Sequence, residues 1–118
     1  MHQSAAFSIF RKWRDSLTTL RVDSRLGVIN FSLECSLMRV EEPLIGLLIG
    51  DFGFIEFLFD DTWTFEFMAA DAARAELDKR IGESPSKERR YEFGEVIVAT
   101  RTTGSRMYFL EAVREVPT

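Results

Sequence analysis

The chain has 118 residues, nearly half of them apolar, with one cysteine, one histidine and a formal net charge of −4. Its length predicts a single domain, residues 1–118, that buries about two-thirds of its unfolded surface without staples. The lone Cys35 excludes an intramolecular disulfide and predicts a reducing, cytoplasmic setting, and one histidine beside one cysteine excludes a Cys/His zinc set.

The first predicted element is a helix over about Ser4 to Leu20. Ala6, Phe10, Trp13, Leu17 and Leu20 recur at spacings of three and four and form one apolar stripe. Arg11, Lys12, Arg14, Asp15 and Thr18 lie away from it, and Ser4 is a plausible N-cap. Basic amphipathic helices can lie on membranes. Here the rest of the chain supplies an apolar sheet that needs such cover, so the helix reads as structural. No basic region and apolar run mark a signal peptide at the start, and the longest apolar stretch, Leu44 to Ile49, is far shorter than the ~20 residues of a membrane helix. No membrane partner is expected.

Arg21 and Arg25 precede the next element and read as solvating a helix-to-strand connection. A strand is predicted over about Leu26 to Val40. Ile29, Phe31, Leu33, Cys35 and Leu37 alternate with polar residues, and then the phase slips at Met38. A β-bulge near Leu37-Met38 explains the slip. Cys35 alternates with core residues and reads as buried and inert, since no histidine is placed to activate it.

Leu44 to Phe59 reads as a hairpin that is apolar on both faces. Gly50-Asp51 predicts a two-residue turn, with Ile49 opposite Phe52 and Leu47 opposite Phe54. Ile45, Leu47, Ile49, Phe52, Phe54 and Leu58 then share one face. Leu44, Leu48, Ile55, Phe57 and Phe59 share the other. Antiparallel strands normally keep one wet face, so both faces here require cover. Asp51-Phe52-Gly53 matches the kinase metal-binding tripeptide by letters alone in a chain too short for that fold.

Asp60-Asp61 predicts a tight turn into a strand over Thr62 to Met68, with Leu58 opposite Trp63 and Phe54 opposite Phe67. Trp63, Phe65 and Phe67 then join the main core. Ala69 to Ile81 reads as a helix capped by Asp71 and ended by Gly82, with a thin stripe of Ala72, Ala73, Ala75, Leu77 and Ile81. A polar loop follows from Gly82 to Arg90. A last hairpin is predicted over Tyr91 to Arg101 and Ser105 to Val113. It too is apolar on both sides, with Val96 and Val98 beside Met107, Phe109 and Val113, and Phe93, Ile97 and Ala99 beside Tyr108, Leu110 and Ala112.

These elements predict an α+β fold. An N-terminal helix packs on a strongly bent antiparallel sheet of five or six strands, a roll or partly open barrel, with a second short helix between strands four and five. Residues 28–78 hold eleven acidic and two basic side chains, which argues against a nucleic-acid partner there. No motif specifies a reaction or a cofactor. Glu56 and Glu111 stand out, because the expected registers place each among apolar residues, where a carboxylate can serve as acid, base or ligand anchor. The plainer reading is that each sits near a strand end or a bulge, where it reaches water or an arginine such as Arg39 or Arg114. Two functions are therefore expected. One is a non-catalytic binding or protein-interaction module, homodimeric through Leu44, Leu48, Ile55, Phe57 and Phe59. The other is a small enzyme or carrier of an apolar ligand, with Glu56 or Glu111 at the polar end of a pocket.

Overall fold

The computed structural model describes residues 2–25, 30–51, 53–81 and 90–116. The expectations for Leu26–Ile29, for Phe52 and for the loop after Ile81 with its capping Gly82 lie outside those residues. Two helices and seven strands follow one another as α1 (Gln3–Asp15), β1 (Thr19–Arg25), β2 (Asn30–Glu41), β3 (Leu44–Ile49), β4 (Gly53–Leu58), β5 (Trp63–Met68), α2 (Ala70–Ile81), β6 (Arg90–Arg101) and β7 (Arg106–Val116). The strands form one antiparallel sheet in the order β4-β3-β2-β1-β7-β6-β5, which does not close into a barrel.

Helix α1 stops earlier than its spacing predicts. Leu17 takes a left-handed φ of 53°. Thr18 N–H donates to Trp13 O and Leu17 N–H to Arg14 O, the paired bonds of a Schellman cap. The chain then turns into β1, a strand the helical spacing of Leu17 and Leu20 concealed. Leu20 and Val22 are buried from β1, not from the helix.

The order of the strands dictates the curvature. β4 and β5 are consecutive in the chain yet lie at opposite edges of the sheet. A flat seven-stranded sheet would separate its edges by about 29 Å at ~4.8 Å per spacing. Five Cα steps from Leu58 to Trp63 reach at most about 19 Å. The sheet must therefore curl, and α1 fills the concavity. Phe7, Phe10 and Trp13 are fully buried there among residues of six strands. Phe59, in the short link, joins the two edges. Its ring meets Trp63 at 5.3 Å, Phe65 at 5.2 Å and Phe7 at 6.3 Å. The expected pairing of Leu58 with Trp63 and of Phe54 with Phe67 does not occur.

Helix α2 packs on the opposite, convex face. Ala73 and Leu77 bury Val96, Val98, Tyr108 and Leu110 in a second core. The β6–β7 hairpin is thus covered on both sides, but with faces differing by one residue from expectation. Ala99 pairs with Met107 and Val98 with Tyr108. Val96 and Val98 consequently share the α2 face with Tyr108 and Leu110, and Ile97 and Ala99 share the α1 face with Met107 and Phe109.

The β3–β4 hairpin shifts in the same way. Ile49 pairs with Gly53 and Leu47 with Ile55, so the loop has three residues rather than two. A one-residue slip turns every side chain of a strand to the other face. Ile55 and Phe57 therefore join Ile45 and Leu47 on the α1 side, and Phe54, Glu56 and Leu58 face outward. The β-bulge expected in β2 is present, between Leu37 and Arg39.

Candidate interaction surface

The convex face of β2, β3 and β4 is the one large region of the sheet that neither helix packs against among the described residues. Three local features build it. The bulge in β2 turns Met38 and Arg39 outward together and returns Val40 to the core. The three-residue loop turns Phe54, Glu56 and Leu58 outward. Gly46 provides the flat floor between them. A Cβ at Gly46 would lie 2.9 Å from Phe54 Cε2 and 3.2 Å from Arg39 Cβ, so the Phe54 ring rests across the glycine backbone.

The result is an apolar surface with a charged centre. Phe54 is 46% exposed, Leu58 63%, Met38 50% and Leu48 39%. Arg39 donates to Glu41 at 2.7 Å and lies 3.5 Å from Glu56. The hydrogen bond from Arg39, with its charge, holds the Glu41 carboxyl below the usual range and raises Arg39 in turn. These pairs are solvent-exposed, so they orient side chains more than they stabilise the fold. β4 is also an edge strand, and the outer main-chain groups of Gly53–Leu58 have no strand beside them among the described residues.

The structure divides the residues singled out from the sequence. Leu44 and Leu48 lie on this outer face. Ile55 and Phe57 lie on the α1 side, half-buried, and Phe59 is buried beneath α1. The five do not form one patch. Phe54, Leu58 and Met38 take the places assigned to Ile55, Phe57 and Phe59. The period-two alternation identified the two sets on β4, but loop length decided which set faced outward.

Glu56 and Glu111 do not meet. Glu56 is on the convex face beside Arg39. Glu111 is on the α1 side of β7, paired with Leu20. Its Oε1 accepts the Glu95 backbone N–H at 3.0 Å, inside the irregular register between Phe93 and Val96. The carboxylate fills the space above Gly94, where a Cβ would collide with it. Glu95 in turn binds Lys12 at 2.7 Å and raises its pKa. Glu111 thus closes a bulge, a role no sequence motif announces.

A second polar group lies on the face of β1 and β7 that carries Tyr108. Asp23 is buried, with a side chain only 1% exposed, and accepts a bond from Arg21 Nε at 3.0 Å. Tyr108 donates its hydroxyl to Glu76. Arg106 lies 3.1 Å from Glu76 and 3.5 Å from Glu66, with its guanidinium 5.3 Å from the Tyr108 ring centroid. The contacts of Tyr108 and Arg106 with Glu76 fasten α2 to the sheet. Arg21 sits on a strand here, not in a connection.

Burial pushes the Cys35 thiol up to about 12, so it stays protonated and unreactive at neutral pH. His2 is exposed at the start of α1. Among the described residues no group of His, Cys, Asp and Glu is placed to hold a metal ion, and no helix is long and apolar enough to cross a membrane. No protein-family model matches the chain, and no curated protein or solved structure shows significant similarity to it.

Proposed function

We propose that this chain is a non-catalytic protein-interaction module whose contact surface is the convex face and free edge of β2–β3–β4. The observation that supports this reading is the exposure of Phe54, Leu58, Met38 and Leu48 together on three adjacent strands, whereas, among the described residues, the sheet's other exposed large apolar side chains, Phe67 of β5 (expected in the core) and Val113 of β7, lie on strands outside that surface. Contiguous apolar surface on a folded chain marks contact sites more often than idle surface. Aromatic anchors such as Phe54 contribute most when a partner excludes water around them. The alternative, a carrier of an apolar ligand with Glu56 or Glu111 at the polar end of a pocket, has less support, because Glu56 is exposed on the convex face and Glu111 is taken up by the Glu95 backbone N–H.

Photo-crosslinking in the cell of origin tests the reading. A benzophenone amino acid replaces Phe54 in one variant and the exposed Ser8 of α1 in another. A protein adduct formed from position 54 and not from position 8 is the expected result. Adducts of equal yield at both positions, or none at position 54, would refute a contact function for this face.

A further inference from the structure

We infer that the partner of this face is an extended, basic segment of another protein, added as an eighth strand along β4. The inference rests on the interaction reading above and identifies its occupant from charge and strand geometry. Residues 30–58 carry five carboxylates, Glu34, Glu41, Glu42, Asp51 and Glu56, against Arg39 alone, and of the five Glu34 stands opposite Arg21 of β1. The whole formal net charge of the chain, −4, therefore resides in the three strands that form the surface and their turns. Arg39 is already committed to Glu41 and Glu56. Such a field attracts cationic partners and repels anionic ones.

The edge supplies the second half of the fit. Gly53–Leu58 contains no proline, no lysine and no bulge, three of the devices that block strand addition, and its one charge, Glu56, opposes an acidic strand but not a basic one. The other edge, β5, is less open on its outer side, where Glu66 faces Arg106 and α2 follows at once. A strand laid on β4 places its outward side chains beside Phe54, Glu56 and Leu58. Cross-strand pairing then selects an apolar, a basic and an apolar residue at alternate positions. Its inward side chains extend the cover over Ile55 and Phe57, which are only half-buried. Main-chain bonds to β4 supply affinity, and the central basic residue supplies selectivity.

A second copy of the chain fits less well. In an antiparallel β4–β4 pairing, the register that sets Phe54 against Leu58 also sets Glu56 against Glu56. It joins two surfaces of the same sign as well. The self-association expected from the sequence is therefore an outcome to test rather than the occupant proposed.

The probe is a fluorescein-labelled decapeptide with valine and threonine on one parity and leucine, lysine, leucine on the other, flanked by arginine. Its twin carries glutamate at every basic position. Fluorescence anisotropy with the full chain is expected to detect the basic peptide and not the acidic one. Raising ionic strength from about 50 mM to about 500 mM weakens that binding by screening. Glu56→Lys reduces affinity about fivefold to tenfold, replacing an exposed attraction by a repulsion. Amide hydrogen exchange slows at residues 53–58 when the basic peptide is bound. Equal binding of the acidic twin overturns the basic partner, as does a salt-stable dimer by light scattering that protects β4 without peptide; both leave the contact reading intact. If neither peptide binds, β4 exchange is unprotected and no position-54 adduct forms, both readings fall together.

Discussion

The two doubly apolar hairpins of this chain meet opposite fates. In β6–β7, α1 covers one face and α2 the other, so Met107, Tyr108, Phe109 and Leu110 are all fully buried in succession. In β3–β4, α1 covers one face and no described element packs on the second, so Leu48, Phe54 and Leu58 stay exposed. The sequences of the two hairpins look alike in apolar content. What differs is the next element along the chain. α2 follows β5, which lies beside β6 at the far edge from β4, so the helix can reach only that half. Apolar content in a strand therefore sets a demand for cover, and topology decides whether the cover comes from the same chain.

The largest expected effect falls on the element both halves share. Trp13→Ala removes a fully buried ring from the α1 core and costs about 3–5 kcal/mol, read from urea denaturation. Both halves are to unfold in one transition. A separate early transition of β2–β4 would show that α1 does not couple them. A paired substitution compares the halves directly. Leu110→Ala, under α2, is expected to cost about 2–4 kcal/mol. Leu48→Ala, on the open face, is expected to cost less than about 1 kcal/mol. Similar losses at the two sites would mean that the open face is covered after all.

Smaller effects concern polar contacts. Glu111→Ala strands the Glu95 N–H in the bulge of the covered half and costs about 1–2 kcal/mol. Glu111→Gln keeps a carbonyl oxygen for that bond and is expected to retain most of the stability, as thermal denaturation would reveal. The smallest effect lies in the link between the two edges. The Thr62 hydroxyl, then the Thr62 N–H and the nearby Arg101 charge hold the Asp60 carboxyl below its ordinary value of 3.8. A lowered native pKa adds stability above the unfolded value and loses it as pH falls through the native value. Asp60→Asn should therefore lower stability slightly at neutral pH, where the ionised carboxylate contributes, and flatten the acid limb below about pH 4, where variant and parent converge.

Much of the fold is legible in the residues themselves. Spacings of three and four mark α1, alanine with charged helix formers marks α2, and the phase slip at Met38 locates the bulge. Alternation within each strand correctly separates Ile55 and Phe57 from Phe54 and Leu58. The buried, inert Cys35 also follows from its place in that alternation. β1 is hidden in the sequence because Leu17 and Leu20 continue the helical spacing. Its own alternation of Leu20, Val22 and Ser24 with Arg21, Asp23 and Arg25 was present but short, and a leucine in a left-handed Schellman cap is not a stop signal that composition announces.

What the sequence determined by itself is therefore a set of local periods: which residues share a face within one element, and that more apolar face exists than one helix can cover. Only the tertiary structure decided which faces coincide. A single extra residue in the β3–β4 loop turned Glu56 out of the core and Phe54 with it, because side chains alternate with a period of two and any odd shift inverts them all. Likewise, the placement of β4 and β5 at opposite edges, which leaves one convex surface open, depends on contacts distant in the chain. The six strands contributing to the α1 core select that arrangement jointly, and no local pattern encodes it.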